Sequence, residues 1–567
     1  MREYKKYAWS GLLCIGVEVV LEITVPLLMA DLIDYGVTNA DGTYIIKKGL
    51  QMALCAVSAL ILGVGSAKFS ALAGQGLGAN IRKAEYEKLQ SYSFSNIDHF
   101  SVSSLVTRLT SDVTNIQNAV STGMRPFGRS PVMLIFATSF AFRINSTLAL
   151  VFLVALPTLA VLLILIIINV GPLYGRMQSA IDQVNRCIQE NLTAIRVVKS
   201  YVRGDYEVEK FGVVNENLKS ESEKAFGTAV LNMPAMQFVM YGTILGILLI
   251  GGRLINEGQM MIGQLTSFLS YVLLILNSLM MMSNVFLLMT RSLASAERIM
   301  EVIDEKIDIT DENAKDIAVA KGEIEFDHVW FKYKDTAKEY VLSDVSFHIK
   351  PGQTVGIIGQ TGSSKTTLVQ LIPRLYDVTK GEVKIDGINV KEYPVRHLRD
   401  AVAMVLQKNT LFSGSLIDNL RWGNEKATLD EIKEACQIAC VDEFVDRLAD
   451  GYDTEMGQEG VNVSGGQKQR ICIARAILKK PKVLILDDST SAVDTATEAK
   501  IRSGLAEKLP DMTKIIIAQR ISSVRHADQI IIMDRGHVEA IGTHESLLRD
   551  NQIYQEIYAS QKEGADL

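Results

Sequence analysis

The chain lacks the features of several protein classes. Its 567 residues carry a formal net charge of −6, so no excess of positive charge points to nucleic acid as a partner. Its 6 cysteines are scattered without the spacing of metal ligands, which favours reduced, structural thiols over a metal site. No small-residue cleavage site follows the basic start Met1–Lys6, so we expect the first apolar run to be retained as a membrane span.

Long apolar runs are almost absent after Thr290, whereas the chain before it is rich in them. Since about 20 helical residues cross roughly 30 Å of hydrocarbon, six stretches before Thr290 are long enough to span a membrane. The third is the weakest, because Arg125 and Arg129 fall inside it. The first half is therefore predicted to be an all-α membrane domain of six helices. The predicted spans lie near 8–30, 51–76, 118–142, 146–172, 226–250 and 263–290.

Basic residues orient the predicted spans. Most flanking Lys and Arg residues lie in the N-terminus and in the connections 77–117 and 173–225, which places these segments in the cytoplasm. Both connections have a helical pattern and need a polar turn where they reverse, and we place these turns at Ser93–Phe100 and Ser200–Phe211. Such turns alone are typical tips of helical hairpins. A cytoplasmic domain after them favours a role in transmitting force to that domain.

Two features of the spans leave alternatives open. Glu18 and Glu22 are four residues apart on one face of the first span, and Lys68 of the second span lies at a similar depth. A Glu–Lys tether between helices is favoured for Glu18, whereas for Glu22 contact with a cationic substrate is an equal alternative. The last span carries Met280–Met282 and Met289, whose flexible side chains suit either helix packing or varied apolar ligands.

The second half has the pattern of a cytoplasmic α/β domain. The segment Arg291–Lys321 is polar and charged, which is typical of a linker. Strand patterns then alternate with helical ones, which predicts a mostly parallel sheet covered by helices on both faces. The predicted strands lie near 323–332, 341–349, 353–358, 382–385, 402–406, 483–487, 514–518 and 529–533.

A glycine-bearing loop joins the strand pattern Thr354–Ile358 to Leu368–Leu375, which has helical apolar spacing. Such a loop presents backbone N–H groups to phosphate, its lysine reaches the β- and γ-phosphates, and the next hydroxyl ligates Mg²⁺. Here these two residues are Lys365 and Thr366. Ser364 departs from the motif, which has glycine immediately before the lysine. The predicted ATP-binding residues of the loop are Gly359, Thr361, Gly362, Ser363, Ser364, Lys365, Thr366 and Thr367.

Two further segments complete a nucleotide site. Val483–Asp487 is a buried strand pattern that ends in a carboxylate, which suits Mg²⁺ held opposite Thr366. Val463–Arg470 opens a helix with small residues, which leaves its N–H groups free for an anion. The order of loop, signature and carboxylate strand resembles the ATP-binding cassette (ABC) family across the whole chain, and it implies an exporter-type half-transporter. The implied domains are a transmembrane domain at 1–300, a linker at 301–320 and a nucleotide-binding domain with a P-loop NTPase core at 321–567.

The resemblance assigns roles to further residues one by one. It implies that Tyr333 stacks on adenine, that Gln407 contacts Mg²⁺, and that Ser491–Asp494 crosses a dimer interface. The turns Ser93–Phe100 and Ser200–Phe211 match the coupling helices of the family. In this family two cassettes sandwich two ATP molecules, so each signature completes the catalytic site on the partner's loop. The signature residues here are Ser464, Gly465, Gly466 and Gln467.

Three positions depart from the family pattern. After Asp487 the family usually places a glutamate that activates or orients the attacking water, and here Asp488 is one methylene shorter. Gln519 stands where the family has a histidine, and an amide cannot carry positive charge. Ser364 is the third departure. Loss of a positioned base costs about 10²–10⁴-fold in rate, so these departures would slow hydrolysis at this site. With them, the chain resembles the degenerate-site subunit of bacterial heterodimeric multidrug exporters.

The sequence therefore predicts one half of an ATP- and Mg²⁺-dependent exporter in the bacterial plasma membrane. Its expected partners are a homologous half-transporter subunit, membrane lipid and amphipathic, hydrophobic compounds such as drugs or lipids. Two alternatives stay open: a homodimeric exporter with two slow ATP sites, and an ATP-gated channel or sensor. A peptide exporter with its own processing domain is disfavoured, because no segment with a Cys/His pair precedes the first span.

Overall fold

The computed structural model describes residues 3–334, 336–488 and 493–563. The chain forms two compact units. The first, here called the helical unit, comprises Met1–Gln90 and Ser103–Asp304. The second, the α/β unit, comprises Ser91–Val102 and Glu305–Leu567, and thus includes the first predicted cytoplasmic turn.

The helical unit consists of long helices with short connections. At about 1.5 Å per residue, the 49 residues of the second helix span about 73 Å, well beyond the hydrocarbon thickness. Two π-helical segments, Leu32–Val37 and Arg108–Asp112, lie between helices. The helices are α1 Lys5–Asp31, α2 Gly42–Gln90, α3 Phe94–His99 (in the α/β unit), α4 Val102–Thr107, α5 Val113–Ser121, α6 Met124–Ile144, α7 Ser146–Thr193, α8 Ile195–Ser200, α9 Gly204–Ala229, α10 Asn232–Asn256 and α11 Ile262–Asp304.

Five helical stretches among the described residues are long and apolar enough to cross a membrane. They contain four of the six predicted spans and residues 263–282 of a fifth, 263–290. The sixth helix, α6, lies at the third predicted span and has 21 residues. Its arginines, among them Arg125 and Arg129, lower its mean hydropathy and leave it outside this set. The five stretches are Lys5–Val37, Gly42–Gln90, Ser146–Thr193, Gly204–Asn256 and Ile262–Met282.

The α/β unit contains the strands β1 Ile324–Phe331, β2 Leu342–Ile349, β3 Thr354–Gly359, β4 Lys380–Ile385, β5 Ile388–Asn389, β6 Val402–Val405, β7 Gly414–Ser415, β8 Glu455–Met456, β9 Val483–Asp487, β10 Thr513–Ile517, β11 Gln529–Asp534 and β12 His537–Gly542. They form a sheet in the order β12-β11-β3-β10-β9-β6, a second sheet in the order β2-β1-β4-β5 and the pair β7-β8. The helices are α12 Lys365–Gln370, α13 Val395–Ala401, α14 Leu416–Arg421, α15 Leu429–Ile438, α16 Asp442–Val445, α17 Gly465–Leu478, α18 Thr495–Lys508, α19 Ile521–Val524, α20 His544–Asp550 and α21 Gln552–Glu563.

The six-stranded sheet confirms the predicted parallel core, because its strands are parallel except for β12 at one edge. Along β9, Leu484 and Leu486 pack into one hydrophobic core, and Val483 and Ile485 pack into another. Both faces of this sheet are therefore covered, as β-strand alternation requires.

Two details of the prediction were wrong. The strands β1, β2 and β4 do not join the parallel sheet but pair with one another in antiparallel fashion. The helix after the phosphate loop begins at Lys365 and ends at Gln370, so the predicted helical segment does not extend to Leu375. Residues beyond Gln370 form turns whose apolar side chains are buried without a helix.

Parallel register brings the functional segments to one edge of the sheet. Ile517 of β10 lies opposite Ile357 of β3 on one side and opposite Asp487 of β9 on the other. The carboxyl ends of these strands therefore align, and the loops that follow them meet at this edge, where parallel α/β sheets bind ligands.

Candidate nucleotide site

The phosphate loop lies between the central strand β3 and α12. Gly359 ends β3 where a Cβ atom would lie only 2.2 Å from the Met533 carbonyl oxygen, so glycine is required by a close approach of β11. Gly362 has φ +87°, a conformation that glycine adopts without strain. These two glycines shape the turn that directs backbone N–H groups towards a phosphate at the start of a helix.

Ser364 occupies the last position of the loop before Lys365. Its φ is +71°, in the left-handed region, and its side chain makes no capping hydrogen bond to α12. A left-handed conformation costs a non-glycine residue roughly 1–2 kcal/mol, which explains why the motif has glycine there. The departure seen in the sequence is thus also a strained backbone position.

Lys365 is hydrogen-bonded to the phosphate loop that precedes it. Its Nζ donates hydrogen bonds to the carbonyl oxygens of Gly359 and Gln360, both at 2.8 Å, and to Ser363 Oγ at 3.1 Å. Burial lowers the pKa of this ammonium, and the negative charges of Asp488 and Asp487 act in the opposite direction. The positive charge is therefore fixed inside the loop, next to the carboxylates at the ends of the strands.

Thr366 and Asp487 form the predicted magnesium position. Thr366 Oγ1 donates a hydrogen bond to Asp487 Oδ1 at 3.0 Å. The other carboxylate oxygen, Asp487 Oδ2, is buried and has no hydrogen-bond partner among the described residues. Burial is the main cause that raises the pKa of Asp487. A buried carboxylate oxygen beside a hydroxyl fits a hard cation with oxygen ligands, so these two residues would hold Mg²⁺, which would neutralise phosphate charge.

Asp488 and Gln519 contact each other directly. Gln519 Nε2 donates a hydrogen bond to Asp488 Oδ2 at 2.7 Å. Burial raises the pKa of Asp488, while hydrogen bonds from Gln519 and Gln407 and the charge of Lys365 lower it. Asp488 has φ +48°, a conformation that aspartate tolerates better than most residues. Two of the three departures from the motif are therefore hydrogen-bonded partners, and the predicted Mg²⁺ contact Gln407 is hydrogen-bonded to Asp488.

Tyr333, the predicted adenine platform, is 43% exposed. Its hydroxyl is hydrogen-bonded to Thr367 Oγ1 at 2.8 Å, so it lies against the helix that begins at the phosphate loop. The edge of its ring meets the buried ring of Tyr376, with the centroids 5.2 Å apart. An exposed ring face beside the loop is the geometry that base stacking needs.

The signature segment begins helix α17. Ser464 is its N-cap, with a reciprocal capping box in which Gln467 N–H donates to Ser464 Oγ at 3.3 Å and Ser464 N–H donates to Gln467 Oε1 at 2.8 Å. Gly465 and Gly466 are the first helical residues, and Gly465 is exposed. The hydrogen bonds of Ser464 and Gln467 are with each other, so this helix end presents its small residues outward.

The predicted interface segment Ser491–Asp494 lies partly outside the described residues, since Ser491 and Ala492 are not among them. Asp494, its last residue, is the N-cap of α18 and accepts a hydrogen bond from Thr497 N–H at 3.0 Å.

The first predicted coupling turn is a short capped helix, α3, within the α/β unit. Ser93 caps it, and Asn96 Nδ2 donates to the Lys306 carbonyl oxygen at 2.8 Å. Tyr376 Oη donates to Asp98 Oδ2 at 2.6 Å, and the Phe94 ring meets the Tyr376 ring edge-on at 6.0 Å. Tyr376 thus contacts both α3 and Tyr333, the predicted adenine platform. Sequence reasoning missed Tyr376, because no local pattern indicates which distant helix its hydroxyl reaches.

The helical unit contains an ionic cluster around the buried Glu18. Glu18 Oε1 accepts hydrogen bonds from Arg125 at 2.6 Å and from Arg129 at 3.2 Å, and Arg129 also pairs with Glu22 at 2.6 Å. The predicted tether through Glu18 exists, but Lys68 as its partner was wrong: Lys68 is exposed. The partners are the two arginines that made the third predicted span weak, because charge in an apolar helix needs an opposite charge nearby.

The methionine-bearing face of α11 serves packing in part. Met280 packs against the core of the helical unit, and Met281 is 37% exposed. A cavity of about 420 Å³ in the helical unit is lined by Met124, Phe127, Met289 and other apolar residues. Met289 is the fourth methionine of the predicted group on this helix.

Comparison with known proteins agrees with this arrangement. Residues 9–279 match the ABC transporter transmembrane region and residues 342–491 match the ABC transporter family. The chain is 38% identical to the uncharacterized ABC transporter ATP-binding protein YfiB of Bacillus subtilis, over 100% of this chain and 98% of the relative. It is 32% identical to the putative multidrug export ATP-binding/permease protein YgaD of B. subtilis, over 85% of this chain and 83% of the relative.

A solved structure has the same fold. It is described as a bacterial Atm1-family ABC exporter with ATP bound, and it matches with a TM-score of 0.84 over 98% of both chains. At 23% identity this likeness carries the fold alone.

Proposed function

This chain belongs to the ABC transporter family, and on that premise we propose that it is one half of a heterodimeric exporter whose own phosphate loop holds ATP while the partner's loop hydrolyses it. It is an ABC exporter of the cell membrane with several membrane-crossing helices and a cytoplasmic ATP-binding domain. Its ATP-binding domain makes it a transport ATPase. The division of labour between two ATP sites is the proposal.

The observation that carries the proposal is the contact between Asp488 and Gln519 at 2.7 Å. Asp488 directly follows Asp487, and its short side chain already accepts a hydrogen bond from the Gln519 amide. A general base needs its oxygen within about 2.6–3.2 Å of the proton it takes, so a carboxylate one methylene short and bound elsewhere is a poor base. The neutral amide of Gln519 also supplies no charge to the developing phosphate anion.

The ATP-holding parts of the site support binding without fast cleavage. Lys365 is seated in the loop, Thr366 and Asp487 fit Mg²⁺, and Tyr333 offers a ring face. The signature at Ser464 is fully formed, which supports a competent site on the partner subunit, because that is the ATP that this helix end would contact.

We further propose that the cargo is amphipathic and hydrophobic. The relative YgaD is named a putative multidrug export protein, and the cavity of about 420 Å³ beside Met124, Phe127 and Met289 is apolar. Flexible methionine side chains adapt to ligands of different shape.

The first experiment tests the partner. The full-length chain, carrying an affinity tag, is captured from the membrane of its native host, and the co-purified chains are identified and quantified. We expect one homologous half-transporter in equal amount. Recovery of this chain alone as a stable, drug-stimulated ATPase would establish the homodimer instead.

The second experiment tests the impaired site. In the captured complex, Asp488→Ala is expected to leave at least about half of the ATPase turnover, whereas removal of the corresponding acidic residue of the partner should lower it by about 10²-fold or more. Near-complete loss of turnover in Asp488→Ala would contradict the impaired site. The reverse change, Asp488→Glu with Gln519→His, is expected to raise turnover.

The third experiment tests transport itself. Inverted membrane vesicles that contain the complex are supplied with ATP and a panel of fluorescent hydrophobic dyes. We expect ATP-dependent dye accumulation in these vesicles. Ion currents without dye uptake would favour an ATP-gated channel.

A further inference from the structure

The C-terminal helix α21 contacts the loop that follows β10. The side-chain amide of Gln561 accepts a hydrogen bond from Ile521 N–H at 2.8 Å and donates one to the Gln519 carbonyl oxygen at 2.7 Å. Both ends of one amide thus bind backbone groups two residues apart. Such a bidentate contact fixes the position and orientation of the backbone between them.

The backbone that Gln561 holds carries the Gln519 side chain, which contacts Asp488. Gln519 is the residue whose carbonyl Gln561 holds, and its Nε2 donates to Asp488 Oδ2 at 2.7 Å. Arg502 of α18 donates to the carbonyl oxygens of Ser522 at 3.1 Å and Ser523 at 3.4 Å, which lie in the following helix α19. Of these two helix contacts, the Gln561 contact is the one that acts on Gln519 itself.

Helix α21 is anchored in the hydrophobic core of the α/β unit. Tyr554, one of the largest fully buried side chains, lies on it, and its hydroxyl is hydrogen-bonded to His544 Nδ1 at 2.8 Å. Tyr554 and Ile557 pack with the hydrophobic core of the α/β unit. The Gln561 contact is thus part of the folded α/β unit.

The negative charge of Asp488 links the Gln561 contact to nucleotide binding. The Asp488 carboxylate lies near Lys365, the residue that reaches the β- and γ-phosphates in phosphate loops. A carboxylate at this position repels a γ-phosphate. The Gln519 amide offsets part of this negative charge by donating to it, and Gln407 contributes a second hydrogen bond.

We propose that Gln561 is a positioning residue: by holding the Gln519 backbone it keeps the Gln519 amide on Asp488, and this favours nucleotides that carry a γ-phosphate. The proposal rests on the proposed function only in that ATP binds to this loop. Gln561 acts through Gln519, whose carbonyl oxygen accepts its hydrogen bond.

The test uses the full-length chain in lipid nanodiscs with Mg²⁺. Dissociation constants of AMP-PNP, which keeps a γ-phosphoryl group and resists hydrolysis, and of ADP are measured for Gln561→Ala, Gln519→Ala and the double variant. The net loss of one typical hydrogen bond corresponds to about 5-fold in affinity. We expect AMP-PNP to bind about 5-fold more weakly to each single variant, while the ADP constant changes less than about 2-fold.

The double variant separates positioning from general stability. Since Gln561 acts through Gln519, the double variant is expected to bind AMP-PNP like Gln519→Ala, without an added loss. Gln555→Ala is the matched control, because Gln555 of the same helix also donates to two backbone carbonyls, those of Leu548 at 2.9 Å and Arg549 at 3.1 Å, away from Gln519. We expect it to leave both constants unchanged.

Three results would overturn the proposal: an unchanged AMP-PNP to ADP ratio in Gln561→Ala, additive losses in the double variant, or an equal loss in Gln555→Ala. If Gln561→Ala fails to bind ADP, Gln561→Glu replaces it with the same expectations, because its carboxylate accepts from Ile521 N–H but cannot donate to Gln519. These constants report binding, so they stay distinct from the turnover that tests the impaired site.

Discussion

Replacing Tyr376 by phenylalanine tests how firmly the short helix α3 is docked. The change removes one hydroxyl, which donates to Asp98 Oδ2 at 2.6 Å, and leaves the ring that contacts Phe94 and Tyr333. Burial raises the pKa of Tyr376, so its hydroxyl stays protonated and donates at all working pH values. The perturbation is therefore one hydrogen bond to a carboxylate.

The size of the effect follows from the surroundings of the two groups. Tyr376 is buried, but Asp98 is exposed, so water competes for the carboxylate. Hydrogen bonds to charged groups contribute about 1.5–3 kcal/mol, and exposure favours the lower end. About 1.4 kcal/mol corresponds to a tenfold change in an equilibrium constant. The contact of Asn96 with the Lys306 carbonyl oxygen remains, so α3 is expected to stay formed and to open more often.

Hydrogen–deuterium exchange of the full-length protein measures this opening. Amides of residues 93–100 are expected to exchange about tenfold faster in Tyr376→Phe, because local opening becomes more frequent. Tyr393→Phe is the matched control: its hydroxyl donates to the Ile385 carbonyl oxygen at 2.9 Å, in the same unit, and it should not accelerate this segment selectively. Equal exchange of residues 93–100 in the wild type and Tyr376→Phe would refute the docking role of the hydroxyl.

Three further predictions concern the strained loop residue, the ionic cluster and the magnesium position. Ser364→Gly relieves a residue at φ +71° and should stabilise the chain by up to about 1 kcal/mol, seen as a rise of about 2–4 °C in thermal denaturation; an unchanged midpoint would contradict the strain. Glu18→Gln leaves Arg125 and Arg129 without their buried carboxylate and should cost about 3 kcal/mol in the same thermal assay. Glu22→Gln should cost less, because Glu22 is one-third exposed and, among the described residues, pairs with Arg129 alone; an equal cost would contradict this ranking. Asp487→Asn removes the buried carboxylate oxygen and should abolish the Mg²⁺-dependent gain in AMP-PNP affinity; a gain that persists would contradict a Mg²⁺ position there.

Local patterns were enough to predict most of the α/β unit. The strands that carry the site were placed within a few residues, because buried apolar runs bounded by turn residues indicate strands directly. The phosphate loop was equally clear, since the glycines, Lys365 and Thr366 are adjacent in the chain. The antiparallel pairing of β1, β2 and β4 was missed, because strand partners depend on contacts distant in sequence.

The membrane half shows the same limit in another form. Apolar length alone indicated spans, and Arg125 and Arg129 made the third one doubtful. The structure pairs both arginines with Glu18, so the charge that weakened the prediction is what ties α6 to α1. Which opposite charges meet depends on helix packing, and Lys68, predicted at a similar depth, is exposed.

The sequence by itself determined the residue types of the site: a loop with one serine in place of glycine, a carboxylate strand, and a short acid and an amide where the family has longer or charged groups. Only the tertiary structure decided that Ser364 lies in a left-handed conformation, that Gln519 binds Asp488, and that Gln561 holds Gln519. The physical reason is that residue identity fixes which hydrogen bonds a side chain is able to make. The packing of strands and helices far apart in the chain then selects which of those bonds form.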